Sequence, residues 1–272
     1  MEVKVVLLTG GSSGIGAATA HLLASAGMTV YAGSRRGTID SPQPGVVPIP
    51  LDVNDSQMLR SAVKRILEQE GRLDAVVCNA GNGIYGPTEG MLEEEARNQF
   101  ETNYFGTLKT IQACLPAFRK QGFGRIITVS SVMALTPLPY QAQYSAVKAA
   151  LLALTEALDE ELSGSGISCC CILPGDVATG FTQARKLTAA ASAPDSPYRE
   201  RMDRNLQKIE RDEQGGMAPE CIGKSILRQL KARSMQPRVI PRLDWKALGW
   251  VVRICPTKWR LKLVNSLYNS QK

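Results

Sequence analysis

The chain has 272 residues, 44% apolar and 21% charged, with 24 glycines and 15 prolines. This is a globular composition, and it excludes a disordered, collagen-like or coiled-coil chain. A single histidine, His21, excludes a multi-histidine metal site and leaves a Ser-His-Asp or Cys-His nucleophile system only that one imidazole.

The net charge of +7 is unevenly placed. Residues 242–272 carry seven basic residues against one acid, Asp244, so residues 1–241 are close to neutral. The main body therefore lacks the basic groove of a nucleic-acid binder. The apolar run 5–8 is too short for a secretory signal, and no stretch approaches the ~18 uncharged apolar residues of a membrane span. The seven cysteines lack zinc-ligand spacing, and three sit side by side in ISCCCILP. Adjacent strand residues point to opposite faces, so this is a buried strand rather than a disulfide framework. A reducing, cytoplasmic setting suits it.

Strand and helix patterns alternate along the chain. A β-branched run over 3–9 predicts a buried strand, and 14–26 a helix stopped by Gly27. Strands follow at 29–33 and 46–51, with a proline-rich loop before the second. Residues 56–69 form an amphipathic helix with Leu59, Val63, Ile66 and Leu67 on one side. A strand at 73–78 precedes a long helical pattern over 93–120, interrupted at Gly106. Strand 125–130, helix 142–163 and strand 167–173 complete the series, closed by Pro174 and Gly175. The segment 181–216 reads as one or two mobile helices broken at SAPDSP. After it come a helix at 219–233, a short strand at 238–240 and one or two basic amphipathic helices over 244–268, split at Pro256. Alternating strands and helices imply right-handed crossovers and a parallel sheet covered on both faces, the doubly wound α/β (Rossmann) architecture.

The first strand runs into Thr9, Gly10, Gly11, Ser12, Ser13, Gly14, Ile15 and Gly16, then a helix. Such glycines allow a tight turn and close approach of a pyrophosphate to free N–H groups at a helix start. The spacing of Gly10, Gly14 and Gly16 differs from G-x-G-x-x-G, and alone it is equally a tight strand-to-helix turn. No nucleoside triphosphatase loop is present. The second strand ends at Ser34, Arg35 and Arg36, with no acid before Asp40. Two guanidiniums and a hydroxyl suit a ribose 2′-phosphate, so NADP (NADPH) is expected rather than NAD. A solvated arginine pair is the other reading. Asp52, followed by Val53, is a candidate for the adenine amino group or for a helix cap. Asn54 and Asp55 fit the capping role equally.

Tyr144 and Lys148 are four apart in a helical pattern, on one face. An ammonium beside a phenol lowers the phenol pKa from ~10 and makes it usable for proton transfer. On its own, the pair is more commonly a packed tyrosine beside a snorkelling lysine. Its position after a strand ending in Ser130 and Ser131 places it where strand ends form a ligand crevice.

Taken in order, these pieces resemble the short-chain dehydrogenase/reductase family over residues 3–180. The glycine-rich turn, Leu51-Asp52-Val53, Asn79-Ala80-Gly81, Asn103 in N-Y-F-G, Ser131 thirteen residues before Tyr144, Lys148 and Pro174-Gly175 carry the likeness. The resemblance implies an NADP(H)-dependent enzyme interconverting a carbonyl and a secondary alcohol. In it, Tyr144 would exchange the proton, Ser131 would hydrogen-bond the substrate oxygen, and Lys148 would lower the Tyr144 pKa and hold the nicotinamide ribose. Asn103 would support a water leading to Lys148. Asn79, Ala80, Gly81, Pro174, Gly175 and Val177 would line the cofactor, and Thr179 would reach its nicotinamide amide or phosphates. The thirteen-residue interval favours Ser131 over Ser130. No metal is implied. A basic residue that many NADP-using members carry in the phosphate loop is absent here.

On this reading residues 1–241 are the catalytic domain, 181–216 a mobile substrate lid, and 242–272 a basic amphipathic extension beyond the end of compact members. Apolar Met133, Leu135, Pro137, Leu138 and Pro139 suggest a hydrophobic substrate. The block from Asn79 to Glu89 is similar to the 17β-hydroxysteroid and retinol dehydrogenase branch, so a hydroxysteroid or similar lipophilic alcohol is expected. Retinal, 3-oxoacyl and sphingoid-type ketones are alternatives, as is a non-catalytic NADP(H)-sensing module. The extension reads either as a helix covering the substrate pocket or a subunit interface, or as a peripheral membrane contact. The helices over 93–120 and 142–163 resemble the family's usual interface, which implies a homo-oligomer, a dimer or tetramer.

Overall fold

A computed structural model describes residues 2–41, 43–242, 245 and 255–269. The strands are β1 (Val5–Thr9), β2 (Thr29–Ser34), β3 (Val46–Pro50), β4 (Ala75–Cys78), β6 (Gly124–Val129), β7 (Ile167–Ile172) and β9 (Arg238–Val239). They form one parallel sheet in the order β3-β2-β1-β4-β6-β7-β9. The chain winds outward from β1 in one direction, returns, and winds outward from β4 in the other. The crevice between β1 and β4 is the switch point of a doubly wound sheet.

Alternation along the strands builds two cores. Val6 and Leu8 of β1 face a cluster holding Leu23 of α1 (Gly14–Ser25) and Ile222 and Ile226 of α9 (Pro219–Lys231). Val5 and Leu7 face the opposite cluster, with Leu59 and Ile66 of α2 (Ser56–Glu70) and Ile111 and Phe118 of α4 (Gly106–Gln121). The cysteine run of β7 follows the same rule: Cys170 joins the first cluster and Cys169 the second. All three of its thiols are free and buried.

The long helical pattern breaks differently from expectation. Helix α3 (Glu93–Phe100) passes through a π-helical turn, Glu101–Phe105, before α4 begins. Gly106 is not the breaker; it is where α4 lies against Val53 too closely for a side chain. Helix α5 (Ala142–Glu161) packs beside β7.

Segment 181–216 contains α6 (Phe181–Ala184), strand β8 (Lys186–Leu187), α7 (Ala189–Ser192) and α8 (Arg199–Gln214). Strand β8 pairs in parallel with β5 (Ile84–Tyr85), a small second sheet that two-residue strands do not announce in sequence. The final helix, α10 (Thr257–Asn269), begins just after Pro256 and packs on α8. Most of the expected helix before Pro256, residues 246–254, lies outside the described residues. Among the described residues no helix is long and apolar enough to cross a membrane.

One buried carboxylate ties the sheet's lower edge. Asp74 is fully buried and accepts from Lys4 N at 2.8 Å, Val5 N at 2.9 Å and Arg72 Nη2 at 2.6 Å. Asp74→Ala orphans those donors and is expected to lower stability by about 3 kcal/mol or more, read from urea unfolding midpoints. A loss under ~1 kcal/mol would contradict this account.

Candidate active site

The turn after β1 is held in place by the end of β4. Thr9 Oγ1 accepts from Asn79 N and Ala80 N, each at 3.1 Å, while Asn79 Nδ2 donates to the carbonyls of Thr9 and Gly10, also at 3.1 Å. Gly10 has φ +68°, and a Cβ there would sit 2.9 Å from Ala80 Cα. A Cβ on Gly16 would overlap the Gly10 carbonyl. Gly16 therefore lets α1 close on the turn and lies behind the site instead of lining it. Ser13, the residue before α1, makes no side-chain cap, so among the described residues no side chain satisfies the free N–H groups at this helix start. Gly10, Ser12, Ser13, Gly14 and Ile15 line a cleft of about 580 Å³. A glycine cradle of this kind with uncapped helix donors fits a dinucleotide pyrophosphate.

Ser34, Arg35, Asp52 and Val53 line the same cleft at one end. Arg36 does not. Its guanidinium turns to Asp40 at 3.3 Å, both side chains largely exposed, so this i,i+4 pair draws it away. Asp55, and not Asp52, caps α2, accepting from Gln57 N at 2.7 Å and Met58 N at 3.0 Å. Asp52 Oδ1 accepts from Asn54 N at 2.9 Å.

At the other end stand Asn79, Ala80, Gly81, Asn103, Ser131, Tyr144, Lys148, Pro174, Gly175, Val177 and Thr179. Ser130 and Ser131 diverge: Ser130 Oγ donates to the Lys148 carbonyl at 2.7 Å, inside the scaffold. Ser131 Oγ accepts from Met133 N at 3.1 Å and donates to Pro174 O at 3.5 Å, and it is near enough to Tyr144 to favour the phenolate slightly. Lys148 Nζ donates to Val129 O at 3.0 Å and lies 5.4 Å from the centre of the Tyr144 ring. Asn103, on the π turn, donates to Asn82 Oδ1 at 2.7 Å and Gln99 O at 2.9 Å. Its Oδ1 is buried with no partner among the described residues, close to Gly81, which also neighbours Lys148 Nζ. The π turn rotates Asn103 inward, and such turns recur at functional sites.

The electrostatics depart from the expected pairing. Burial pushes the Tyr144 hydroxyl well up, Glu213 adds to this, and Arg185 and the Ser131 hydrogen bond oppose it. Burial also pulls the Lys148 ammonium down to about 8. Desolvation of both groups thus outweighs any attraction between them, and the phenol holds its proton.

Several lining residues escaped the sequence reading. Glu213 reaches the cleft from α8, where Thr182 Oγ1 and Arg185 Nη2 engage its two oxygens. Phe181 packs on Tyr144 with ring centres 5.9 Å apart. Gln141, 3% exposed, lines the cleft, and its spacing of three from Tyr144 could have marked it. Beyond Val132, Met133 and Asp176 a second cavity opens under Trp245 and α10. Trp259, Leu261, Leu263 and Leu267 of α10 are exposed to solvent by 46–69%.

The short chain dehydrogenase family pattern matches residues 4–190. The chain is 37% identical over 237 residues to the 3-ketodihydrosphingosine reductase of Bacteroides thetaiotaomicron, covering 87% of each chain. It is 36% identical to human 17-beta-hydroxysteroid dehydrogenase type 1 over 197 residues, 67% of this chain and 60% of that protein. A short-chain dehydrogenase structure from Streptomyces avermitilis superposes with a TM-score of 0.82 at 28% identity, covering 97% of this chain and 96% of its own. Fold, ordered motifs and relatives agree: the chain belongs to the short chain dehydrogenase family and is an NAD(P)-dependent oxidoreductase.

Proposed function

We propose that the protein interconverts a ketone and a secondary alcohol with NADP(H), acting on a lipophilic substrate. The supporting observation is a single cleft that joins the uncapped start of α1 to Ser131, Tyr144 and Lys148. The bound nicotinamide supplies or accepts the hydride. Gly10, Ser12, Ser13, Gly14 and Ile15 hold the pyrophosphate, Asp52 and Val53 the adenine, and Asn79 to Gly81 with Pro174, Gly175, Val177 and Thr179 the nicotinamide half. Ser34 and Arg35 receive the 2′-phosphate, which an acid at this point would repel. Of the acids beside them, Asp40 is paired with Arg36, and Asp52 accepts from Asn54 N.

Tyr144 is the proton donor in reduction. Its raised pKa keeps the phenol intact at neutral pH, ready to protonate a developing alkoxide. Ser131, in the same cleft as Tyr144, donates its hydroxyl to the substrate oxygen. Lys148 binds the ribose, and Asn103 Oδ1, buried without a partner among the described residues, accepts from a water that returns protons to Lys148. A homo-oligomer interface on α4 and α5 and lipid contact through the exposed apolar residues of α10 complete the proposal.

For the substrate, the reductase relative that matches over 87% of both chains favours a sphingoid-type ketone. A hydroxysteroid is the second reading, favoured by the human relative.

Tyr144→Phe is expected to lower kcat about 10²- to 10⁴-fold while leaving NADPH binding intact, followed by NADPH absorbance with a panel of lipophilic ketones. Retained turnover would remove the tyrosine from the relay. Arg35→Ala is expected to raise the KM for NADPH roughly tenfold or more, with little change for NADH and a smaller effect from Arg36→Ala. A wild-type enzyme that prefers NADH would overturn the cofactor assignment.

A further inference from the structure

Val132, Met133 and Asp176 line both the catalytic cleft and the second cavity, which measures about 170 Å³. The second cavity is otherwise mostly apolar, walled by Leu135, Leu138, Trp245, Leu263, Val264 and Leu267. Asp176 is the one carboxylate among its described lining residues, with Arg260 the one cation. A carboxylate therefore stands at the boundary where a reactive polar chamber gives way to a greasy one.

The neighbouring acids are already occupied. Glu213 is bonded to Thr182 and Arg185, and Asp212 to Lys208 Nζ at 3.0 Å. Thr182, Arg185 and Lys208 are engaged by those two carboxylates, and at Asp176 the fixed bond is that of its backbone carbonyl with Met217 N at 2.9 Å. Burial first, then Asp212 and Glu213, raise the Asp176 carboxyl to about 6, with Lys208 and Arg242 opposing. Its surroundings disfavour an uncompensated charge, so a bound cation there gains more than it would in water. Gln141 supplies an independent sign of a polar ligand. It is 3% exposed, it lines the cleft, and its Nε2 has no acceptor among the described residues.

We infer that the substrate is a long-chain amino ketone, whose ammonium group pairs with Asp176 while its aliphatic chain lies in the cavity beneath α10. Gln141 donates to an oxygen of the head group, and the carbonyl sits at Tyr144. A neutral steroid offers Asp176 at most a hydroxyl donor and no opposite charge, and a short ketone leaves the second cavity unfilled. This inference rests on the ketone-reduction reading above and adds the substrate's charge and shape to it.

The test uses the full chain with NADPH and three probes: 3-ketodihydrosphingosine, its N-acetyl derivative, and an amino ketone with a chain of about four carbons. The wild-type enzyme is expected to favour the free amine over the N-acetyl compound in kcat/KM by about 10- to 100-fold, and the long chain over the short. Asp176→Asn should erase the amine preference, mainly through KM. Leu263→Trp, which fills the second cavity, should erase the chain-length preference. NADPH binding, titrated in each variant through nicotinamide fluorescence, separates a damaged cofactor site from lost substrate recognition. Equal use of the amine and its N-acetyl derivative, or an amine preference that survives in Asp176→Asn, would overturn the inference alone. Failure to reduce any ketone, steroids included, would overturn the parent reading and this one together.

Discussion

The stitching of β1 to β4 by Thr9 and Asn79 is the constraint on which the site depends. In a doubly wound sheet the two central strands part at their carboxyl ends, because their crossovers leave in opposite directions. That gap would splay without a tie across it. Four hydrogen bonds between one threonine, one asparagine and the turn close it at a fixed width. The Gly10 carbonyl, held by Asn79, is also the atom against which Gly16 brings α1 down. One side chain thereby sets the position of a strand end, a phosphate turn and a helix start.

Across the cleft the governing force is desolvation. A tyrosine and a lysine one helical turn apart invite a Coulombic account, in which the ammonium drags the phenol pKa down. Both groups are buried, and each shifts toward its neutral form. The pair is thus a protonated acid beside an easily neutralised base. That state suits donation to a substrate oxygen better than abstraction from an alcohol, until a further charge enters the cleft.

The sheet, its order of elements and most residues that line the glycine-rich end of the cleft were legible because their signals are local. Buried strands are continuous β-branched runs, the phosphate turn is a cluster of glycines, and Tyr144 and Lys148 share a helix face. The misread details have physical causes. Arg36 and Arg35 look equivalent in sequence, and only the i,i+4 reach of Arg36 to Asp40 separates them. The break in the long helix resides in a π turn, which has no residue signature, and the glycine beside it answers to Val53. Glu213 carries no motif, and its place in the cleft follows from how 181–216 folds back, which depends on tertiary contacts that no local pattern encodes; Asp176 lies within the stretch 174–177 after β7, which is expected to line the cofactor.

The substrate side is assembled from segments far apart in sequence. Tyr85 donates its hydroxyl to Met202 O at 2.9 Å and to Asn205 Oδ1 at 3.1 Å, and Asn205 Nδ2 in turn donates to Tyr268 O at 3.2 Å. The Tyr140 ring packs between those of Tyr85 and Tyr198. These pieces are fastened to one another at the periphery, away from the seven-stranded sheet. These ties join β5, α8 and α10 through groups outside the sheet, so the three elements are held by one another as much as by the core.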